Sequence, residues 1–148
     1  MDYIKFENVS EDISYAIGSS LRGYIDEVTT NQLIAMFGEP SRIPSGDGKV
    51  QLEWIIKTKV IEEDGNETDS SFILYDWKGS APSDDNVEWR INVGGRSQQD
   101  YFNVFDAFDI ANQTDFLYAY DGDGKLCQSK EGFNLHLLEM AKAEAANE

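Results

Sequence analysis

Alternating apolar and polar positions in the middle of the chain predict three strands of a sheet. Val50–Ile61 alternates most strictly, with every second residue from Val50 to Ile56 apolar, and Ser71–Trp77 and Val87–Val93 repeat the pattern. A short acidic turn, 62–69 around Gly65-Asn66, separates the first two segments. Two such strands joined by a polar turn predict an antiparallel hairpin.

The N-terminal third shows weaker patterns. Tyr3–Val9 alternates loosely and predicts an edge strand, and Ser20–Ile25 predicts a second short strand. Between them, Ser10-Glu11-Asp12 offers capping side chains before a helical turn over Ile13–Ile17. We therefore expect the sheet to gain one or two strands from this region.

Two segments carry the spacing of amphipathic helices. Thr29 with Gln32 three residues later has the form of a capping box, and Gly38 with Pro40 ends that helix. The second helix is predicted to begin after Ser97, following Gly94-Gly95, which we expect to break the third strand. Its apolar stripe is Tyr101, Val104, Phe105 and Phe108, with Asp100 and Asp106 placed on the solvent side.

The C-terminal part, 114–146, is predicted to form a small hairpin and a last helix. Asp115–Tyr120 and Lys125–Gln128 flank the turn Asp121–Gly124, and Asn134 is a candidate cap for the helix. The whole chain, 1–148, is thus expected to be one α+β domain. Its antiparallel sheet should have four to six strands, with two or three helices packed mainly on one face.

A net charge of −16 limits the partners that this chain can bind. Its 28 acidic residues face only 12 Lys and Arg. Such a surface disfavours nucleic acid and anionic membranes and attracts basic grooves. With Cys127 as the only cysteine, no internal disulfide can form, which is typical of a reducing compartment. No signal peptide or membrane span is visible in the sequence, so we expect a cytoplasmic protein.

Five short motifs occur in an order that is familiar from bacteriophage proteins. They are MFGEP at 36–40, SGDGK at 45–49, EWII at 53–56, ILYDWK at 73–78 and EWRINVGGRS at 88–97. This order resembles a widespread family of small phage proteins of unassigned function, over about residues 20–108. The resemblance implies a phage origin and activity in the host cytoplasm, and it supplies no catalytic residue.

The same motifs also have a structural interpretation. Trp54, Trp77 and Trp89 fall one per predicted strand, so we expect them to stack across one sheet and supply buried area. Most of the motif residues are then scaffold rather than site.

Three patterns suggest chemistry, and each fits a structural role better. The loop from Asp121 has Lys125 at the fifth EF-hand position, and it also lacks the Gly at the sixth and the Glu at the twelfth. Gly94-Gly95-Arg96-Ser97 at a helix start could hold a phosphate but lacks P-loop spacing. Cys127 and His136 show no third group that would orient a catalytic pair. We therefore predict no catalytic residue, no cofactor and no bound metal.

The acidic residues provide the candidate partner-binding surface. One set lies in the predicted hairpin tip and the other on and after the second helix. The candidates are Glu62, Glu63, Asp64, Glu67, Asp69, Asp100, Asp106, Asp109 and Asp115. Mimicry of duplex DNA would need about ten or eleven acids gathered on one face of a globule about 38 Å across.

Three functions remain open from the sequence. The first is an inhibitor that occupies the basic groove of a host defence or nucleic-acid-handling protein, with DNA mimicry as one form. The second is a non-catalytic assembly module that acts as a homodimer through an apolar or aromatic surface. The third is an enzyme with a carboxylate-bound metal.

Overall fold

A computed structural model describes residues 2–113 and 130–147, with the backbone alone for Lys130 and Glu131. Five strands form one antiparallel sheet: β1 (Tyr3–Asn8), β2 (Ser20–Val28), β3 (Glu53–Ile61), β4 (Glu67–Tyr75) and β5 (Trp89–Gly95). Within the described residues, three α-helices accompany it: α1 (Thr30–Phe37), α2 (Gln98–Gln113) and α3 (Lys130–Ala146). The predicted α+β class is confirmed, while the predicted C-terminal hairpin lies outside the described residues.

The strand order is β1-β3-β4-β5-β2, so β1 and β2 are the two edges. The β3–β4 hairpin pairs Glu53 with Tyr75 at one end and Ile61 with Glu67 at the other, which confirms the strongest prediction from alternation. Both strands differ from their predicted bounds. β3 begins at Glu53 because residues 50–52 pass beside the Asp76 carboxylate, which accepts the N–H groups of Gln51 and Leu52.

The core lies between one face of the sheet and the helices. Four phenylalanine rings meet there: Phe6 of β1 lies 5.3 Å from Phe37 of α1, 5.9 Å from Phe72 of β4 and 6.2 Å from Phe133 of α3. All four are fully buried. Burial of each such side chain contributes about 1.5–3 kcal/mol, so this cluster holds sheet and helices together.

The helix α1 begins as its sequence predicts. The Thr29 hydroxyl accepts the Gln32 N–H at 3.0 Å, and the Gln32 side chain accepts the Thr29 N–H at 2.9 Å. Gly38 follows the last helical residue with a φ of 88°, a conformation that glycine adopts without strain. The local capping signals therefore placed both ends of this helix correctly.

Asn134 does not cap the last helix, because α3 begins at Lys130 and Asn134 lies inside it. Its buried side chain instead accepts the Phe6 N–H at 2.9 Å and donates to the Phe6 carbonyl at 2.7 Å. These are backbone groups on the outer side of edge strand β1. The asparagine thus satisfies an edge that would otherwise be open to another strand.

Two further predictions about the sheet are wrong. Gly94 and Gly95 do not break the third strand, because they are its last two residues and the strand spans Trp89–Gly95. Gly95 is needed there because a Cβ would stand 2.7 Å from the Cβ of Asp100. Trp77 lies beyond the end of β4 and is 44% exposed, beneath the Lys49 ammonium, so the tryptophans do not fall one per strand.

Candidate cation-binding groove

A groove of about 330 Å³ lies between the edge strand β2 and the helix α2. Its walls are residues 24–28 of β2, Gln32 of α1, and five residues of α2: Tyr101, Phe105, Phe108, Asp109 and Asn112. We call it the β2–α2 groove.

The backbone of β2 is irregular along this groove. Ile25 pairs with Ile91 and Val28 with Trp89, so Asp26 and Glu27 both stand opposite a single residue of β5. Two residues opposite one define a β-bulge, which re-aims the neighbouring side chains. Glu27 has a φ of 57°, in the left-handed region that costs a non-glycine residue about 1 kcal/mol or more. Backbone strain of this kind concentrates at functional sites.

An aromatic wall is anchored to the β2 backbone. The Tyr101 hydroxyl donates to the Tyr24 carbonyl at 2.9 Å, and its ring covers Gly23 so closely that a Cβ there would stand 2.6 Å from ring carbons. The Phe105 ring lies 6.3 Å from that of Tyr101 and is 54% exposed. The predicted placement of Phe105 in the packed stripe is therefore wrong. The buried positions of the helix are Asp100, Asn103, Val104, Ala107, Phe108 and Ala111.

Two of the residues that line the groove, Tyr24 and Asp26, already hold one guanidinium. Arg90 of β5 donates from Nε and Nη2 to the two Asp26 carboxylate oxygens at 2.5 and 3.4 Å. The same group lies 5.1 Å from the centre of the Tyr24 ring. The hydrogen bond to Asp26, with the charge of that carboxylate, raises the pKa of Arg90. Carboxylate and aromatic face together are the arrangement that selects an arginine or lysine side chain.

The acidic side chains are dense around this end of the molecule. Asp26, Glu27 and Asp109 line the groove itself. The loop before β5 adds Asp84, Asp85 and Glu88, and its Asp85 carbonyl accepts the Asn31 N–H of α1 at 3.1 Å. With the exposed Asp106 of α2, four more acids stand on the chain segments next to the three that line the groove, and Arg90 pairs with Asp26.

The predicted hairpin-tip acids form a different surface. Glu62, Glu63 and Asp64 are exposed at the β3–β4 turn. Glu67 pairs with the Lys59 ammonium at 3.3 Å, and Asp69 lies 4.0 Å from that of Lys57. Lysines on the neighbouring strand thus offset part of the tip charge.

The acids predicted on and after the second helix differ in their exposure. Asp106 and Asp109 are exposed, as predicted for the former, while Asp115 lies outside the described residues. The placement of Asp100 on the solvent side is wrong, because it is buried. Its carboxylate accepts the Arg96 and Ser97 N–H groups at 2.9 and 3.1 Å, and so caps α2 from within.

The two acidic sets do not meet. The hairpin turn lies beyond the Ile61–Glu67 pair, whereas the groove lies beside the Val28–Trp89 pair, at the opposite end of the sheet. The sequence predicted part of the groove through Asp109 but missed Tyr24, Asp26 and Glu27. The bulge that makes them neighbours depends on pairing with β5.

The glycine loop at 94–97 is not a phosphate cradle. The chain's own Asp100 carboxylate already accepts the N–H groups that a phosphate would use. The Arg96 guanidinium is also engaged, because it donates to the carbonyls of Ile17, Ser14 and Tyr15 at 2.8, 3.3 and 3.2 Å.

The remaining candidate sites lie only partly within the described residues. Within 2–113 and 130–147, no cluster of three or more His, Cys, Asp or Glu side chains is arranged to hold a metal ion. His136 stacks 6.3 Å from the Phe133 ring on α3, while Cys127 and the loop from Asp121 lie outside the described ranges. No described helix is both long and apolar enough to cross a lipid bilayer.

Comparisons with known proteins found no match. No family model matches the chain, and neither a curated protein nor a solved structure is similar enough to count as a match. The resemblance to small phage proteins therefore stays a prediction from the five motifs.

Proposed function

We propose that this protein is a binding module whose β2–α2 groove receives an arginine- or lysine-bearing segment of a partner protein. The observation that carries the proposal is the pairing with Arg90, because two groove residues, Tyr24 and Asp26, already bind a guanidinium. Glu27 and Asp109 line the same groove, as do the aromatic rings of Tyr101 and Phe105. A second cation could therefore bind beside the first.

The size of the β2–α2 groove suits a single side chain or short segment of a partner. It suits contact with the whole duplex-binding groove of a nucleic-acid-binding protein less well. The groove volume of about 330 Å³ is at the lower end of the range of about 300–1,000 Å³ for small-ligand pockets. The three acids that line the groove and the four on neighbouring segments are together fewer than the roughly ten that duplex mimicry requires. DNA mimicry is thus the less favoured form of the proposal.

The broader role that we propose is inhibition of a host protein with a basic surface, such as a defence or nucleic-acid-handling protein. The net charge of −16 and the motif resemblance support this role. Opposite charge speeds encounter and directs orientation, so a compact acidic inhibitor would find a basic site quickly. Enrichment of such proteins from a host lysate at low salt, lost at high salt, is the expected result.

A direct test uses a synthetic arginine–glycine peptide and a matched glutamine–glycine peptide. Calorimetry should detect binding of the first peptide only, and the affinity should fall as salt is added. Asp109→Asn and Glu27→Gln should each weaken binding roughly 3- to 10-fold, the loss expected of a partly exposed charge pair.

The control for this experiment is Asp64→Asn, which removes the same charge at the opposite end of the molecule. It should change the affinity by less than about 2-fold, because the two sites are separated by more than a screening length. Equal weakening by all three variants would mean that net charge alone attracts the peptide, and the groove would then not be the site.

A further inference from the structure

A second candidate surface lies on the sheet face opposite the helices. The segment between β1 and β2 crosses this face over β3 and β4, with a 3₁₀ turn at Ile13–Ala16. Ile13 and Ile17 are 74% and 68% exposed, and Leu21, opposite Gly94 on the same face, is 49% exposed. We call these three residues the open-face patch.

The backbone beneath the patch is held in place by hydrogen bonds. The Asp12 carboxylate accepts the Ser14 N–H at 3.0 Å and begins the 3₁₀ turn. The Ser71 hydroxyl of β4 donates to the Tyr15 carbonyl at 2.9 Å, and Arg96 donates to the Ile17 carbonyl at 2.8 Å. The two isoleucines are thus presented outward by a fixed frame, at little further entropic cost on binding.

The charges beside the patch balance, unlike those at the groove. On the same sheet face, Lys5 stands opposite Lys59 and Glu7 opposite Lys57, and the two β3 lysines lie near Asp69 and Glu67 of β4. Three lysines therefore face three carboxylates there: Lys5, Lys57 and Lys59 against Glu7, Glu67 and Asp69. Beside the patch itself, Glu11 and Asp12 before Ile13 are matched by two arginines: Arg22, which follows Leu21, and Arg96, which donates to the Ile17 carbonyl.

This balance determines which partner the patch suits. Two copies of a chain of charge −16 repel each other through their acidic ends, but a face with equal numbers of both signs can meet its own copy. A two-fold axis would place the same surface on both sides, with apolar residues central and opposite charges at the rim. A strongly basic partner gains nothing from a neutral face. We propose that the open-face patch is the interface of a homodimer.

Sedimentation of the whole chain tests this proposal. The mass should rise with concentration from 16.7 kDa toward twice that value. Ile17→Glu should remain monomeric over the same range, because it places a charge in the apolar centre of both subunits. Phe102→Glu is the control, since Phe102 is 50% exposed on a helix of the other layer and its variant should still dimerise.

Salt and folding measurements complete the design. Added salt should strengthen the dimer by screening the repulsion between the two copies. If Ile17→Glu fails a circular-dichroism check of folding, Ile13→Glu takes its place. A wild-type chain that stays monomeric at every concentration would overturn the proposal, as would equal loss of the dimer in Phe102→Glu. Peptide binding at the groove is measured separately, so either proposal can fail alone.

Discussion

Replacing Asn134 with Ala removes a contact that joins the last helix to the edge strand β1. The asparagine amide both accepts the Phe6 N–H at 2.9 Å and donates to the Phe6 carbonyl at 2.7 Å. These two residues stand 128 positions apart in the chain. The Tyr3 hydroxyl adds a third contact by donating to the Asn134 carbonyl at 3.1 Å, and the variant leaves this one in place.

The magnitude follows from what the variant leaves behind. Phe6 is buried, so its N–H and carbonyl lose their partners where water has little access, at about 1–3 kcal/mol for each group. Alanine is the better helix former by about 0.5 kcal/mol, which offsets part of the loss. We therefore expect the free energy of unfolding to fall by about 1.5–5.5 kcal/mol.

Urea denaturation measures this change as a lower midpoint at unchanged slope. Leu135→Ala is the matched control, because Leu135 is the next residue of α3 and is 56% exposed, and it should cost less than about 1 kcal/mol. Hydrogen exchange gives a second readout, since the Phe6 amide should lose protection more than its neighbours. If Asn134→Ala lowers the free energy of unfolding no more than the control does, then water replaces the asparagine amide at Phe6. The asparagine would then not be what satisfies the edge of β1.

Three further variants test the packing and electrostatics of the fold. Gly23→Ala should lower the free energy of unfolding by about 1–3 kcal/mol, because the new Cβ meets the Tyr101 ring. It should also weaken peptide binding, because the Tyr24 carbonyl holds that ring in place. Unchanged thermal stability would contradict this. Thr58→Val should stabilise by about 1 kcal/mol in urea, because the buried Thr58 hydroxyl has no hydrogen-bond partner among the described residues; a loss of stability would indicate a partner. Burial raises the pKa of Glu53, so the folded state disfavours its charged form; the cost in stability grows as pH rises from the ordinary glutamate pKa to the raised one and is complete above it. Glu53→Gln should therefore be more stable than wild type at neutral pH, with the difference vanishing below the ordinary glutamate range; a difference that does not vary with pH would refute that cause.

Local sequence signals were sufficient where both partners of an interaction are close in the chain. The capping box of Thr29 and Gln32 spans three residues, and the β3–β4 hairpin is joined by a short turn. Ser97 and Asp100 have the same spacing, Ser-x-x-Asp, which is itself a helix-start signal. That signal would have placed Asp100 correctly. Counting it instead as one of the surplus surface acids caused the error.

Distant pairing explains the predictions that failed. Asn134 has the residue type of a helix cap, but its partner Phe6 lies at the other end of the chain. Phe105 fits an apolar helical stripe, yet α2 turns this position away from the core. In both cases the sequence pattern is real, and a contact between remote elements decides how the residue is used.

The groove depends on a bulge that no periodic pattern announces. Asp26 and Glu27 come together at the rim because β2 carries two residues where β5 carries one. A one-residue change of register would move every following side chain to the other face. Only the pairing of β2 with β5 could therefore reveal that these acids share a site with Asp109.

The unequal distribution of charge gives the two proposed associations opposite responses to salt. Among the described residues, three acids line the groove and Arg90 pairs with one of them, so screening weakens attraction to a basic segment. On the open face, the positive and negative side chains described above are equal in number, so the main electrostatic term between two copies is repulsion by the rest of the chain, which screening relieves. Salt should therefore release the peptide and promote the dimer in the same sample. If the net charge were instead spread evenly over the surface, the open face would carry its own excess of acids. Two open faces would then repel each other, and no dimer should form at low salt.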